Sequence, residues 1–207
     1  MNAAGVLPCF RGIACHDAWA PYDTYGQVAG HALCNAHLLR ELAGAAGNGT
    51  AADVQWTGQA AAALLALKDA VARASAAGQD LLDPEFLARQ SHLLRSAALV
   101  GVRSNAAGRT RIEKKARALA RRLIRRHDDY LRFARDFSVP FDNNAAEREI
   151  RMSKLRIKVS GCMRSMTGAA QFCAIRSYLA TAAKHGISAL DALIRAAGGQ
   201  PWLPDTT

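Results

Sequence analysis

"GVLPCFRGIACHDAW" (residues 5–19) decides how this chain begins to fold. Gly12 to Cys15 is a short run suited to a buried strand, and the polar pair His16-Asp17 stands at its end. An aspartate in that position would sit at the carboxyl-terminal tip of a strand, where open α/β sheets place their chemistry. Taken alone, the same stretch is read equally well as holding a turn or helix-capping aspartate. "GHALCNAHLLREL" (30–42) has a related form, a second short strand passing directly into a helix.

Helices follow. Residues 51–76 are alanine-rich, with Trp56, Ala60, Leu64, Leu67 and Val71 at helical spacing. Asp83-Pro84-Glu85 is a helix start, with Asp as the cap, Pro at the first position and an acid in the first turn. Phe86, Leu93, Ala97 and Val100 form its apolar stripe. "SNAAG" (104–108) interrupts, and the pattern then predicts one long helix from about Arg109 to Phe137, burying Ile112, Ala116, Leu119, Leu123, Tyr130, Leu131 and Ala134. "NNAAEREIRMSKLR" (143–156) and "GAAQFCAIRSYLATAAKHG" (168–186) predict two more helices, the second closed by Gly186. The tail "GGQPWLPDTT" reads as irregular. Two parallel strands do not make a stable sheet alone, so the pattern requires something more to complete it.

The 207 residues carry a formal net charge of +10, which points to a polyanionic partner, nucleic acid ahead of an acidic membrane surface. The excess is local. Eleven Lys/Arg stand against three acids from Arg109 to Arg135, and six more stand against Glu149 alone from Arg148 to Arg164. Ion pairing cannot absorb so one-sided a block, whereas phosphates would. Such contacts position a nucleic acid without reading its sequence. No apolar run approaches the length needed to span a bilayer. The start lacks the layout of a signal peptide, and five scattered cysteines suit a reducing cytoplasm.

Two groups of residues could carry chemistry. Cys34-x-x-His37, close to His31, has half of a zinc-site spacing, but no second pair lies at the distance a zinc finger needs. Zinc is therefore not expected there, and local packing is the better reading. Asp17 and Glu147 are far apart in sequence, one at a strand tip and one in "PFDNNAAEREIR" (140–151), a basic segment. Paired carboxylates holding Mg²⁺, beside arginines holding phosphates of the same substrate, would explain a glutamate in such company. On these grounds alone other acid pairs serve as well.

"GVLPCFRGIACHDAWAPY", "HALCNAHLLREL", "VPFDNNAAEREIRMSKLRIKVSGCMRS" and "GAAQFCAIRSYLATAAKHG" resemble, in order, segments of transposases of the insertion sequence 66 family. The resemblance implies DNA cleavage at the ends of a mobile element and strand transfer into target DNA, by a ribonuclease-H-like fold with an Asp-Asp-Glu triad and Mg²⁺. It makes Asp17 the second acid, at the end of the fourth strand, and Glu147 the third, with "GHALCN" as the fifth strand. The implied fold is α/β by ancestry but mainly α in this chain, with two short strands and a large helical insertion. Residues 1–44 would be the remnant of the core, 45–136 the insertion, 137–195 the catalytic-helix part and 196–207 a tail.

Further roles follow from the same resemblance. Arg148, Arg151, Lys154, Arg156, Lys158, Arg121, Arg122 and Arg125 are the expected DNA contacts. His16, Cys34, His37, Asn143 and Asn144 are expected to support the site, the asparagines serving equally well as simple helix caps. The expected partners are transposon-end and target DNA, in a homo-oligomeric complex, without a membrane. The expected location is the bacterial-type cytoplasm, at the nucleoid. The first triad aspartate belongs on a strand ahead of "GVLP", to which no residue of this sequence corresponds, and Asp23 is misplaced to replace it. The expectation is thus a truncated chain with an exposed strand edge, inactive or severely impaired alone. The competing expectation is a non-catalytic fragment that binds DNA or pairs with intact transposase.

Overall fold

The computed structural model describes residues 6–149, 151 and 165–204. They fall into two compact units, 1–143 and 144–207. The first opens with a single helical turn, α1 (Val6–Cys9), and then β1 (Ile13–His16). A 3₁₀ turn (Ala20–Thr24) leads to β2 (Gly30–Leu33). The strands pair in parallel, Ile13 opposite Gly30 and His16 opposite Leu33. Among the described residues the sheet has these two strands. The far side of β2 is held by a side chain: Arg132 Nε donates to the His31 carbonyl at 2.7 Å.

Cys34 alone separates β2 from α2 (Asn35–Asn48), standing at the N-cap position of the helix. Then come α3 (Ala51–Ala76), α4 (Pro84–Ser104) and α5 (Arg111–Arg125). Each start is written in the sequence. Thr50 and Thr110 make capping boxes with Asp53 and Glu113, and Asp83 accepts from Phe86 N ahead of Pro84. The apolar stripes then bury Leu38, Leu42, Trp56, Leu64, Leu67, Leu94, Leu119 and Leu123 in one core.

Trp56 is the centre of the helical packing. A Cβ added at Gly101 of α4 would lie 2.7 Å from its indole ring and 3.1 Å from Ala120 of α5, so the three helices close on a position where only glycine fits. Below the ring lies a complete polar network. Asp53 Oδ1 accepts from Trp56 Nε1 at 2.9 Å and from Asn105 Nδ2 at 2.6 Å. Its Oδ2 accepts from the Thr50 amide at 2.8 Å and the Thr50 hydroxyl at 2.9 Å.

The long helix expected from Arg109 to Phe137 is three pieces: α5, α6 (His127–Tyr130) and α7 (Arg132–Arg135). The breaks at Arg126 (φ −106°, ψ 24°) and Leu131 (φ −94°, ψ 3°) rotate the chain so that His127, Tyr130, Leu131, Phe133 and Ala134 all turn inward. A continuous helix would leave Phe133 off the stripe of the other four. Ile112 and Val100, expected in the core, are 45% exposed, each lying outside the face its helix presents to Trp56.

In the second unit, residues 144–149 are helical. The helix Met166–Lys184 ends in a Schellman motif, Gly186 at φ 77° with Ile187 N donating to Ala182 O and Gly186 N to Ala183 O. The helix Ala189–Ala197 returns along it, and Tyr178 OH donates to Ala192 O at 2.9 Å. Among the described residues the tail has no regular element after Ala197, as its composition suggests, but it is held in place: Trp202 N donates to Tyr178 OH, and the Trp202 ring lies 5.0 Å from that of His185.

Candidate active site

Asp17 follows directly on the last residue of β1 and is exposed. The amide of Trp19 donates to its Oδ1 at 3.2 Å, an Asx turn that reverses the chain. Ala18, inside that turn, has φ 66°, the one positive φ on a non-glycine among the described residues. A left-handed alanine costs roughly 1–2 kcal/mol, and strain of this kind concentrates beside functional residues. The turn thus holds one carboxylate oxygen and presents the group outward. The turn reading of Asp17 is realised, and it is compatible with a ligand role for the second oxygen.

Behind Asp17 the strand tip is built from rings. His16 is buried, stacks on Tyr22 at 4.5 Å between centroids, and meets His31 through Nε2···Nδ1 at 3.1 Å. Burial, then the nearby His31 and Arg126, hold the His16 imidazole down to a pKa of about 4, so it is neutral at ordinary pH. Cys15, on the same strand, has its thiol pushed up to about 11 by burial, with Cys34 and Asp142 adding to the effect. It is a packing thiol and not a nucleophile.

Cys34 is buried at the end of β2 and accepts from the Asn143 amide through Sγ at 3.4 Å. Asn35 N donates to Phe141 O at 3.1 Å, and Asn35 Nδ2 donates to Tyr130 O at 3.0 Å. These bonds tie the segment ending at Asn143 to the carboxyl end of the sheet. His37 lies half-buried in the first turn of α2, and Cys34 is engaged in packing as the sequence suggested.

Asn144 is the first helical residue of the second unit, with Glu147 half-buried one turn later and Arg148 and Arg151 exposed. Lys154, Arg156 and Lys158 lie outside the described residues.

The arginines of α5 divide into two sets. Arg121 and Arg125 are exposed and share a groove with Lys114, Arg117 and one edge of Arg122. Arg122 is half-buried and already committed, pairing with Glu41 and donating from Nε to Tyr130 OH at 2.9 Å. A cleft of about 800 Å³ lies beside them between α2 and α5, lined by Glu41, Leu119 and Arg122, away from Asp17.

One cluster escaped the sequence reading. His16, Asp23 and His31 offer ligand atoms that all lie within 4.8 Å of one another. The signal becomes visible once β1 and β2 are set in parallel register, because His31 faces Ala14 and the period of two then puts His31 on the face of His16.

A helix-dominant chain with a small parallel sheet, an exposed acid at a strand tip and a basic helical ridge has the features of a ribonuclease-H-like fold carrying a helical insertion. Residues 2–171 match the family model described as "Transposase IS66 family". The chain therefore belongs to this family of DDE transposases. No curated protein and no solved structure matches it. Among the described residues, no helix is long and apolar enough to cross a membrane.

Proposed function

We propose that Asp17 and Glu147 are two acids of a Mg²⁺-dependent DNA-cleaving and strand-transferring site. The observation that carries this reading is the exposed Asp17 at the tip of β1, with Asn143 hydrogen-bonded at the end of the neighbouring β2, only four residues ahead of Glu147. Carboxylate oxygens are the hard donors that Mg²⁺ takes, and the outward oxygen of Asp17 suits that role. When bound there, the ion would polarise phosphoryl oxygen and lower the pKa of water. The chain's own residues then divide the remaining work. Asp17 is held by its turn, and Arg148 and Arg151 receive phosphates. Arg121 and Arg125, with Lys114 and Arg117, hold a further stretch of backbone. Arg122 serves the fold.

The partners under this reading are transposon-end and target DNA in the cytoplasm, at the nucleoid, with a second copy of the chain in the active complex. This reading assigns two of the three acids among the described residues, and with these two alone the 207-residue chain is expected to cleave DNA poorly.

Mn²⁺ binding, read by its magnetic resonance in place of the silent Mg²⁺, tests the pairing. Asp17→Ala and Glu147→Ala each weaken the same site. Independent or unchanged binding in the two variants sinks the shared-site reading. Robust Mg²⁺-dependent cleavage by the chain, abolished by both variants, would instead overturn the claim of impairment.

A second reading is favoured by the α5 groove, which needs neither acid: a non-catalytic DNA-binding or transposase-pairing fragment. It predicts salt-sensitive DNA binding, unchanged in Asp17→Ala, with no cleavage. Arg121→Ala should reduce the slope of log affinity against log salt by about 1.

A further inference from the structure

We propose that His16, His31 and Asp23 form a zinc-type metal site that clips the tip of β1 to β2 and to the 3₁₀ turn between them. It goes beyond the acid pair and uses neither Asp17 nor Glu147. Sequence spacing argued against zinc at Cys34 and His37; the three residues here are a different set, brought together by the parallel register.

The geometry is close to a coordinated one. Two ring nitrogens on a tetrahedral zinc, at about 2.0–2.1 Å each, lie roughly 3.3–3.4 Å apart. His16 Nε2 and His31 Nδ1 stand at 3.1 Å, so a shift of a few tenths of an ångström, with the shared N–H proton passing to solvent or to the other nitrogen of its ring, replaces the ring-to-ring hydrogen bond by two metal bonds. The hydrogen bond itself requires one ring to be neutral, the form that ligates.

Asp23 supplies the anionic donor. Its Oδ1 receives Arg126 Nη1 at 2.8 Å, and a carboxylate has lone pairs enough to hold a guanidinium and a metal together. Arg126 is the cation facing the cluster, and its charge is offset by Asp129, whose Oδ2 accepts from Arg126 Nε at 2.5 Å. The arrangement gives the metal-bound carboxylate an outer hydrogen-bond partner of the usual kind. Two imidazoles and one carboxylate select zinc, nickel or copper over Mg²⁺. Three protein ligands leave a fourth position for water. The Tyr22 ring on His16 shields one side of the site.

The test uses the purified 207-residue chain, stripped with chelator and then given Zn²⁺ alone. Equilibrium dialysis should show one equivalent bound. The midpoint of thermal unfolding should rise by about 5–10 °C when zinc is a hundredfold above its Kd. Absorption of the Co²⁺-substituted protein should report tetrahedral geometry. His31→Gln and Asp23→Asn should each weaken binding at least tenfold, with Cys34→Ser unchanged. The proposal is overturned if the folded wild-type chain, checked by circular dichroism, binds no stoichiometric zinc. Retention of full affinity by either variant, or its loss in Cys34→Ser, overturns it equally. All of these readouts are taken without DNA, so their failure leaves the acid-pair reading standing.

Discussion

The helical body around Trp56 and the two-stranded tip around Asp17 belong to the same compact unit but are built on opposite rules. In the body α3, α4 and α5 are each capped by a side chain of their own sequence, and the Asp53 carboxylate takes four hydrogen bonds. At the tip an alanine is held at φ 66° and two histidines share a proton-sized gap. Capped helices and paired polar groups are thus concentrated in the body, and the one left-handed alanine stands beside the strand-end acid, where packing elsewhere offsets its strain.

Asp53→Ala should make the largest difference. It leaves the Trp56 indole N–H and one of the two N–H groups of Asn105 Nδ2 unpaired inside the core, the other keeping the Gly101 carbonyl, and roughly 2–5 kcal/mol should be lost in urea or guanidinium unfolding. A loss under 1 kcal/mol would mean that the body does not depend on this network. Gly101→Ala comes next, at about 1–3 kcal/mol, because its methyl group meets the indole ring and Ala120. Trp56 fluorescence should shift with it.

The pH dependence of the body follows from Asp53. Burial pushes its pKa up, but the hydrogen bonds from Asn105, Trp56 and Thr50 outweigh that and leave it below the ordinary carboxylate value. A depressed carboxylate stabilises the fold above the unfolded-state pKa of about 3.9 and ceases to do so as pH falls through the folded value. Unfolding curves should therefore show stability lost progressively in that acid range, and Asp53→Asn should flatten the slope.

The smallest effect is of opposite sign. Ala18→Gly should stabilise the fold by up to about 1 kcal/mol, by releasing the left-handed strain beside Asp17. If it destabilises instead, the turn is not strained and the contrast between the two regions fails.

Much of the body was legible beforehand. Asp83-Pro84-Glu85 and the spacing of Trp56, Ala60, Leu64 and Leu67 carry their own local physics, and the α3 limits Ala51–Ala76 match the pattern. Both strands were visible as short apolar runs. The breaks at Arg126 and Leu131 were not, since they arise from tertiary demand: Arg126 reaches Asp23 and Asp129, and Arg132 reaches β2. The candidate site was legible where one residue sufficed, as at the strand-end Asp17. It was hidden where two strands had to be aligned first, as for His16, Asp23 and His31. Arg122 stood among the expected DNA contacts, and its pairing with Glu41 and Tyr130 was not legible, because those partners lie far from it in sequence or on another face of the pattern.

The hydrogen bond from Asn35 to Phe141 has a consequence for how such a chain could change. Residues 36–140 leave the sheet after Asn35 and the chain returns to it at Phe141, so the helical excursion has its two feet together. Its last turns nonetheless hold the sheet and the turn between its strands, through Arg132 on the His31 carbonyl and Arg126 on Asp23. The far part of the excursion, around the α3–α4 connection, can therefore be lengthened or trimmed without touching either foot, whereas α6 and α7 cannot.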